Sequence, residues 1–102
     1  MTKTKYGLIK QAIQTKQQVV AMYRGHWQEM CPHVLGLKDG EENCWFYQFG
    51  STSSSAGRNL MGWRCMKVGE LSNVSIRPGP WHTDPRHSRP QTCVDEIDVV
   101  VT

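Results

Sequence analysis

The chain of 102 residues predicts a mainly β fold with one N-terminal helix. Three patterns predict it. Apolar residues recur at helical spacing once, over residues 5–16. Five later runs, between residues 17 and 76, alternate or are rich in β-branched and aromatic residues, separated by glycine- and serine-bearing breaks. A sixth run, IDVVVT at 97–102, follows a proline-rich connection. The length fits one domain, able to remove roughly two-thirds of its unfolded surface from water.

Each element has its own signal. In KYGLIKQAIQTK, residues 5–16, Tyr6, Ile9, Ala12 and Ile13 form one apolar stripe with Leu8 at its edge. Thr4 suits the N-cap and Lys16 the C-terminal end. QQVVAMYR, 17–24, changes to a period of two and reads as a strand. A turn at Gly25 and His26 leads to a second strand from Trp27 to Leu37, where Pro32 predicts an edge position or a bulge. Asp39-Gly40 is a hairpin signal. CWFYQFG, 44–50, follows: as a strand it puts Trp45, Tyr47 and Phe49 on one face and Cys44, Phe46 and Gln48 on the other. Both faces are nearly apolar, so either both are covered by protein or one is a platform for a flat ligand.

STSSSAGRNLMG, 51–62, is long for a hairpin loop, and such loops are often functional. WRCMKV, 63–68, sets Trp63, Cys65 and Lys67 against Arg64, Met66 and Val68. Gly69 predicts a turn before a short strand near Val74–Ile76. Residues 77–92 hold four prolines, with Trp81 as an anchor. IDVVVT either pairs with a sheet edge or with another copy of the chain. The sum is a small SH3-like or Sm-like five-stranded barrel with its helix over residues 1–76. Residues 77–102 are then a Pro-rich arm and C-terminal extension strand packed on the same domain.

Lys and Arg number 12 against 9 Asp and Glu, a formal charge of +3. The acids Asp95, Glu96 and Asp98 crowd the end, so the rest of the chain is a basic body facing an acidic strand. Such a body offers a local anion site or only a solvated surface. No signal peptide and no run of ~18–20 apolar residues is present. The expectation is a soluble, cytoplasmic protein with no membrane partner. The cysteines, at 31, 44, 65 and 93, show no paired short spacing. They read first as small buried hydrophobes. Two disulfides, or zinc on His82, His87 and Cys93 with His26 and His33 as further histidines, are the alternatives.

The order of motifs resembles a known family. VVAMYRG, CPHVLG, CWFYQFG and WRCMKVGELSNVSI follow the helix in turn. This is similar to the WYL domain, a small Sm-like barrel of bacterial transcription regulators and defence-associated proteins. The matching features are Tyr23-Arg24-Gly25, Pro32 to Gly36, the aromatic trio Trp45-Phe46-Tyr47, and the basic strand Trp63 to Leu71. The resemblance spans residues 6–76. It implies a ligand-sensing domain that binds negatively charged ligands, nucleotides or single-stranded nucleic acid, and signals to an attached effector. Departures are the trio itself, Gln28-Glu29-Met30 where an arginine usually precedes the proline, and Glu70 where the basic strand usually ends in arginine.

Three function classes compete. A sensor would use Arg24, Arg58, Arg64 and Lys67 for charge and Tyr23, Trp45 and Tyr47 for stacking, which is worth roughly 1–3 kcal/mol per base. In an interaction or oligomerisation module the aromatics would be core and the bases surface. An enzyme is disfavoured, because the chain has no Gly-x-Ser-x-Gly elbow and no phosphate-cradling glycine loop. The reading is therefore a non-enzymatic regulatory domain for an anionic nucleotide or single-stranded nucleic acid. It needs no cofactor and no metal, and an effector protein or a homo-oligomer is a further candidate partner.

Overall fold

The computed structural model describes residues 4–51, 62–81 and 92–101. They form α1 (Lys5–Thr15), β1 (Gln18–Tyr23), β2 (His26–Lys38), β3 (Glu41–Ser51), β4 (Gly62–Lys67), a 3-10 turn (Val68–Glu70), β5 (Leu71–Arg77) and β6 (Glu96–Val100). The fold is mainly β with one N-terminal helix, as the sequence predicts. All six strands belong to one antiparallel sheet.

Helix α1 begins where the Thr4 hydroxyl accepts a hydrogen bond from the Gly7 N–H at 3.0 Å. It ends at Lys16, whose backbone turns left-handed at φ 52°. Its buried residues are Ile9, Ala12 and Ile13, the predicted stripe. They dock on the concave side of the sheet with Val19, Ala21, Met30, Leu35, Cys44, Phe46, Met66, Val68 and Leu71.

The sheet follows the path β4-β3-β2-β1-β5. Its two end strands, β4 and β5, are joined by the three-residue 3-10 turn. A sheet whose ends are tethered this closely must curl round its core, although no β4–β5 ladder closes it among the described residues. Two-residue turns with positive φ at both central positions make the β1–β2 and β2–β3 hairpins, at Arg24-Gly25 and Asp39-Gly40. That twist matches the strands it joins. The first turn therefore lies one residue earlier than Gly25-His26.

Pro32 sits at a register shift against β3, between Pro32 and Val34. There the opposite side of β2 also changes partner, from β1 at residues 26–30 to β6 at residues 34–37. A residue with no N–H is tolerated at such a switch. β5 starts at Leu71, three residues before the predicted strand. Its polar Ser72, Asn73 and Ser75 conceal it in the sequence, and pairing with β1 reveals it.

β6 lies on β2 where Gly36 leaves room: a Cβ there would stand 2.0 Å from the Glu96 carbonyl oxygen. The acidic end is neutralised by the basic body through Lys10–Asp98 at 3.3 Å and Lys38–Asp95 at 3.2 Å. The Tyr6 hydroxyl also donates to Asp98 at 2.6 Å. That bond and Lys10 hold the Asp98 carboxyl below its usual range.

The cysteines divide. Cys31 and Cys44 are buried and outside any disulfide, as expected. Cys65 and Cys93 instead form a disulfide, with Cα atoms 5.5 Å apart, between β4 and the segment entering β6. Twenty-eight residues separate them, and only the return of the chain along β2 brings them together. No group of three or more potential metal ligands occurs among the described residues, and His82 and His87 lie outside them. No described helix is long and apolar enough to cross a membrane.

Candidate functional site

A pocket of about 200 Å3 opens at the β1–β2 turn, lined by Tyr23, Arg24, His26, Gln28, Gln48, Arg64 and Met66. Its floor is polar. Gln28 and Gln48 are buried, and the Gln48 amide donates to the Gln28 carbonyl oxygen. Gln48 Oε1 accepts from Arg64 Nε at 3.2 Å. This anchors one edge of the exposed guanidinium by a neutral partner, so its positive charge is not cancelled. No carboxylate of the described residues pairs with Arg64, and none lines the pocket.

Arg24 forms the rim. It occupies the first central position of a turn that favours Asn, Asp or Gly, at φ 51°. A bulky residue held left-handed costs of order 1 kcal/mol, a strain that collects at functional positions. The Arg24 guanidinium lies 5.2 Å from the centre of the Tyr23 ring and 3.7 Å from a Glu70 oxygen. The Tyr23 hydroxyl donates to the other Glu70 oxygen at 3.2 Å. Glu70 thus braces both rim residues from outside the cavity.

The predicted site residues do not all meet here. Tyr23, Arg24 and Arg64 converge on the pocket. Lys67 points to the opposite face of β4 and pairs with Glu41 at 3.1 Å, which raises the pKa of its ammonium. Arg58 lies outside the described residues. Trp45 and Tyr47 share the outer face of β3 with Trp63, away from Gln48 and the pocket. Trp45 stacks on Trp63 at 5.4 Å, and Tyr47 meets Trp63 edge-on at 5.2 Å. Buried His33 lies 4.7 Å from Trp63 and 5.1 Å from Trp81. Its Nδ1 bonds the Cys31 carbonyl at 2.9 Å, and burial lowers its pKa. The aromatic strand is therefore covered inside by the core and half covered outside by its own cluster.

His26, Gln28, Gln48 and Met66 are pocket residues that the sequence reading did not assign to the site. The signal for Gln28 and Gln48 was present: each is an amide in an otherwise apolar inward register. The pairing of β2 with β3 is what makes them neighbours.

Comparison with protein-family models, with curated proteins and with solved structures gives no match. The likeness to the WYL domain rests on the quoted motifs alone.

Proposed function

We propose that the chain is a non-enzymatic sensing domain that binds an anionic nucleotide or single-stranded nucleic acid at the pocket between Tyr23, Arg24 and Arg64. The observation that carries this reading is Arg64. Its Nε rests on Gln48 while the rest of the guanidinium is exposed beside a cavity without acidic lining. A phosphate is the matching ligand, because a guanidinium offers it parallel donors. The Tyr23 ring is the stacking surface within reach, and Trp45 and Tyr47 have no part in it. Nucleotide ligands go with a cytoplasmic location. The Cys65–Cys93 bond weighs against it, since disulfides persist in oxidising compartments.

The test is a calorimetric titration with 5′-mononucleotides and a short single strand at low and moderate salt. Saturable binding that weakens with salt is expected, since phosphate contacts release counterions. Arg64→Ala should lower affinity by about tenfold or more, as loss of a charge-assisted hydrogen bond does. Salt-independent binding, or an unchanged Arg64→Ala, would overturn the reading.

A second reading has its own observation. Ile97 and Val100 are 56% and 49% exposed on β6, which pairs only with β2 among the described residues. An interaction module would use that edge to add a partner strand. Sedimentation that shows a dimer abolished by Ile97→Lys, with no nucleotide binding, would favour it.

A further inference from the structure

Glu70 stands where it competes with any ligand of the pocket. Its two oxygens reach Arg24 at 3.7 Å and the Tyr23 hydroxyl at 3.2 Å, the two rim groups an incoming anion needs. Its side chain and that of Arg24 are 40% and 71% exposed, so the pair can open without repacking the core. We propose that Glu70 acts as an internal competing carboxylate, which makes the pocket selective for a terminal phosphomonoester over an internal phosphodiester. This rests on the pocket being an anion site.

The selectivity follows from charge. A phosphodiester carries one negative charge, as Glu70 does, so exchanging one for the other at Arg24 gains little. It is held by Arg64 alone. A phosphomonoester carries about −1.5 to −2 at neutral pH and offers three acceptor oxygens. It can draw Arg24 from Glu70 and still engage Arg64. Exposed ion pairs such as Arg24–Glu70 are weak, so the barrier discriminates without closing the site. The donors presented are the Arg64 and Arg24 guanidinium edges. The same terminal phosphate occurs on a mononucleotide and on the phosphorylated end of a strand.

The experiment uses the full chain and four probes: a 5′-mononucleotide, its nucleoside, and one short single strand with and without a 5′-phosphate. Binding is measured for the unsubstituted protein, Glu70→Gln and Glu70→Ala. Gln keeps an acceptor for Tyr23 and removes the charge, and urea unfolding confirms that each variant is folded. The unsubstituted chain should bind the phosphorylated strand about tenfold tighter than the unphosphorylated one. Mononucleotide binding in parallel, with no nucleoside binding, identifies the phosphate as the shared determinant. If only the phosphorylated strand binds, the source is a strand end. Both Glu70 variants should bind every phosphate probe more tightly, the unphosphorylated strand most of all, and the preference should shrink. Equal affinity for the two strands in the unsubstituted chain, or a preference unchanged in both Glu70 variants, overturns the role of Glu70 alone. No binding of any phosphate probe by any of the three proteins overturns the anion site itself.

Discussion

The two faces of β3 are closed by different means. On the inner face Cys44, Phe46 and Gln48 are buried, and a broad apolar core covers the first two. On the outer face Trp45 and Tyr47 stay half-buried. Trp45 packs against a satellite cluster of only Val34, Cys93 and Val94, and a disulfide holds the covering segment in place. Packing alone suffices where a helix and four other strands supply apolar area. On the outer face the rings of Trp63, His33 and Trp81 share the covering with one returning segment, and a covalent tie offsets the entropy of ordering that segment. The two faces also differ in what they border: the aromatic face meets its own ring cluster, and the pocket opens at the inner end marked by Gln48.

Substitutions at neighbouring positions of β3 should show the largest difference between its two faces. Phe46→Ala, at a fully buried position, should cost about 3–5 kcal/mol in urea unfolding, as large-to-small changes in cores do. Trp45→Ala should cost less, roughly 1–2 kcal/mol for a half-exposed ring. Equal losses would mean that the two faces are closed alike.

Removing the tie comes next. Cys65→Ser with Cys93→Ser should lower stability by about 2–4 kcal/mol and weaken the near-ultraviolet signal of the outer tryptophans. The proposed nucleotide binding should persist, because the pocket lies on the other face. A simultaneous loss of binding would show the two faces to be coupled.

The smallest effect concerns His33, whose pKa is lowered because burial disfavours the imidazolium. The unfolded chain takes up this proton near pH 6.5, and the folded chain only at lower pH. In that window the unfolded state holds more protons, so stability should fall as pH falls from 6.5. His33→Gln should flatten this part of the urea-midpoint profile, and an unaltered slope would assign it to another group.

Much of the fold was legible in the sequence because it is local. The stripe on α1, the period of two in β1, β3 and β4, and the Asp39-Gly40 turn each depend on neighbours within a few residues. Pro32 announced the irregularity in β2 for the same reason: a missing N–H must fall where no ladder needs it. Tyr23, Arg24 and Arg64, which the structure brings together at one pocket, stood out in the sequence because charge and aromaticity stand beside a turn or alternate along a strand. The structure places Trp45, Tyr47 and Lys67 apart from them; alternation says that two sets of side chains point apart and not which set faces the pocket.

The β class, the helix stripe, the hairpins and the two faces of residues 44–50 can be read from the chain alone. All follow from backbone geometry and short-range chemistry. The tertiary structure alone decided that Cys65 meets Cys93, that Lys10 and Lys38 neutralise Asp98 and Asp95, and that Glu70 braces the rim of a pocket floored by Gln28 and Gln48. Each joins residues distant in the chain, and pairing across such separations is fixed by sheet register and chain return, to which a local pattern is blind.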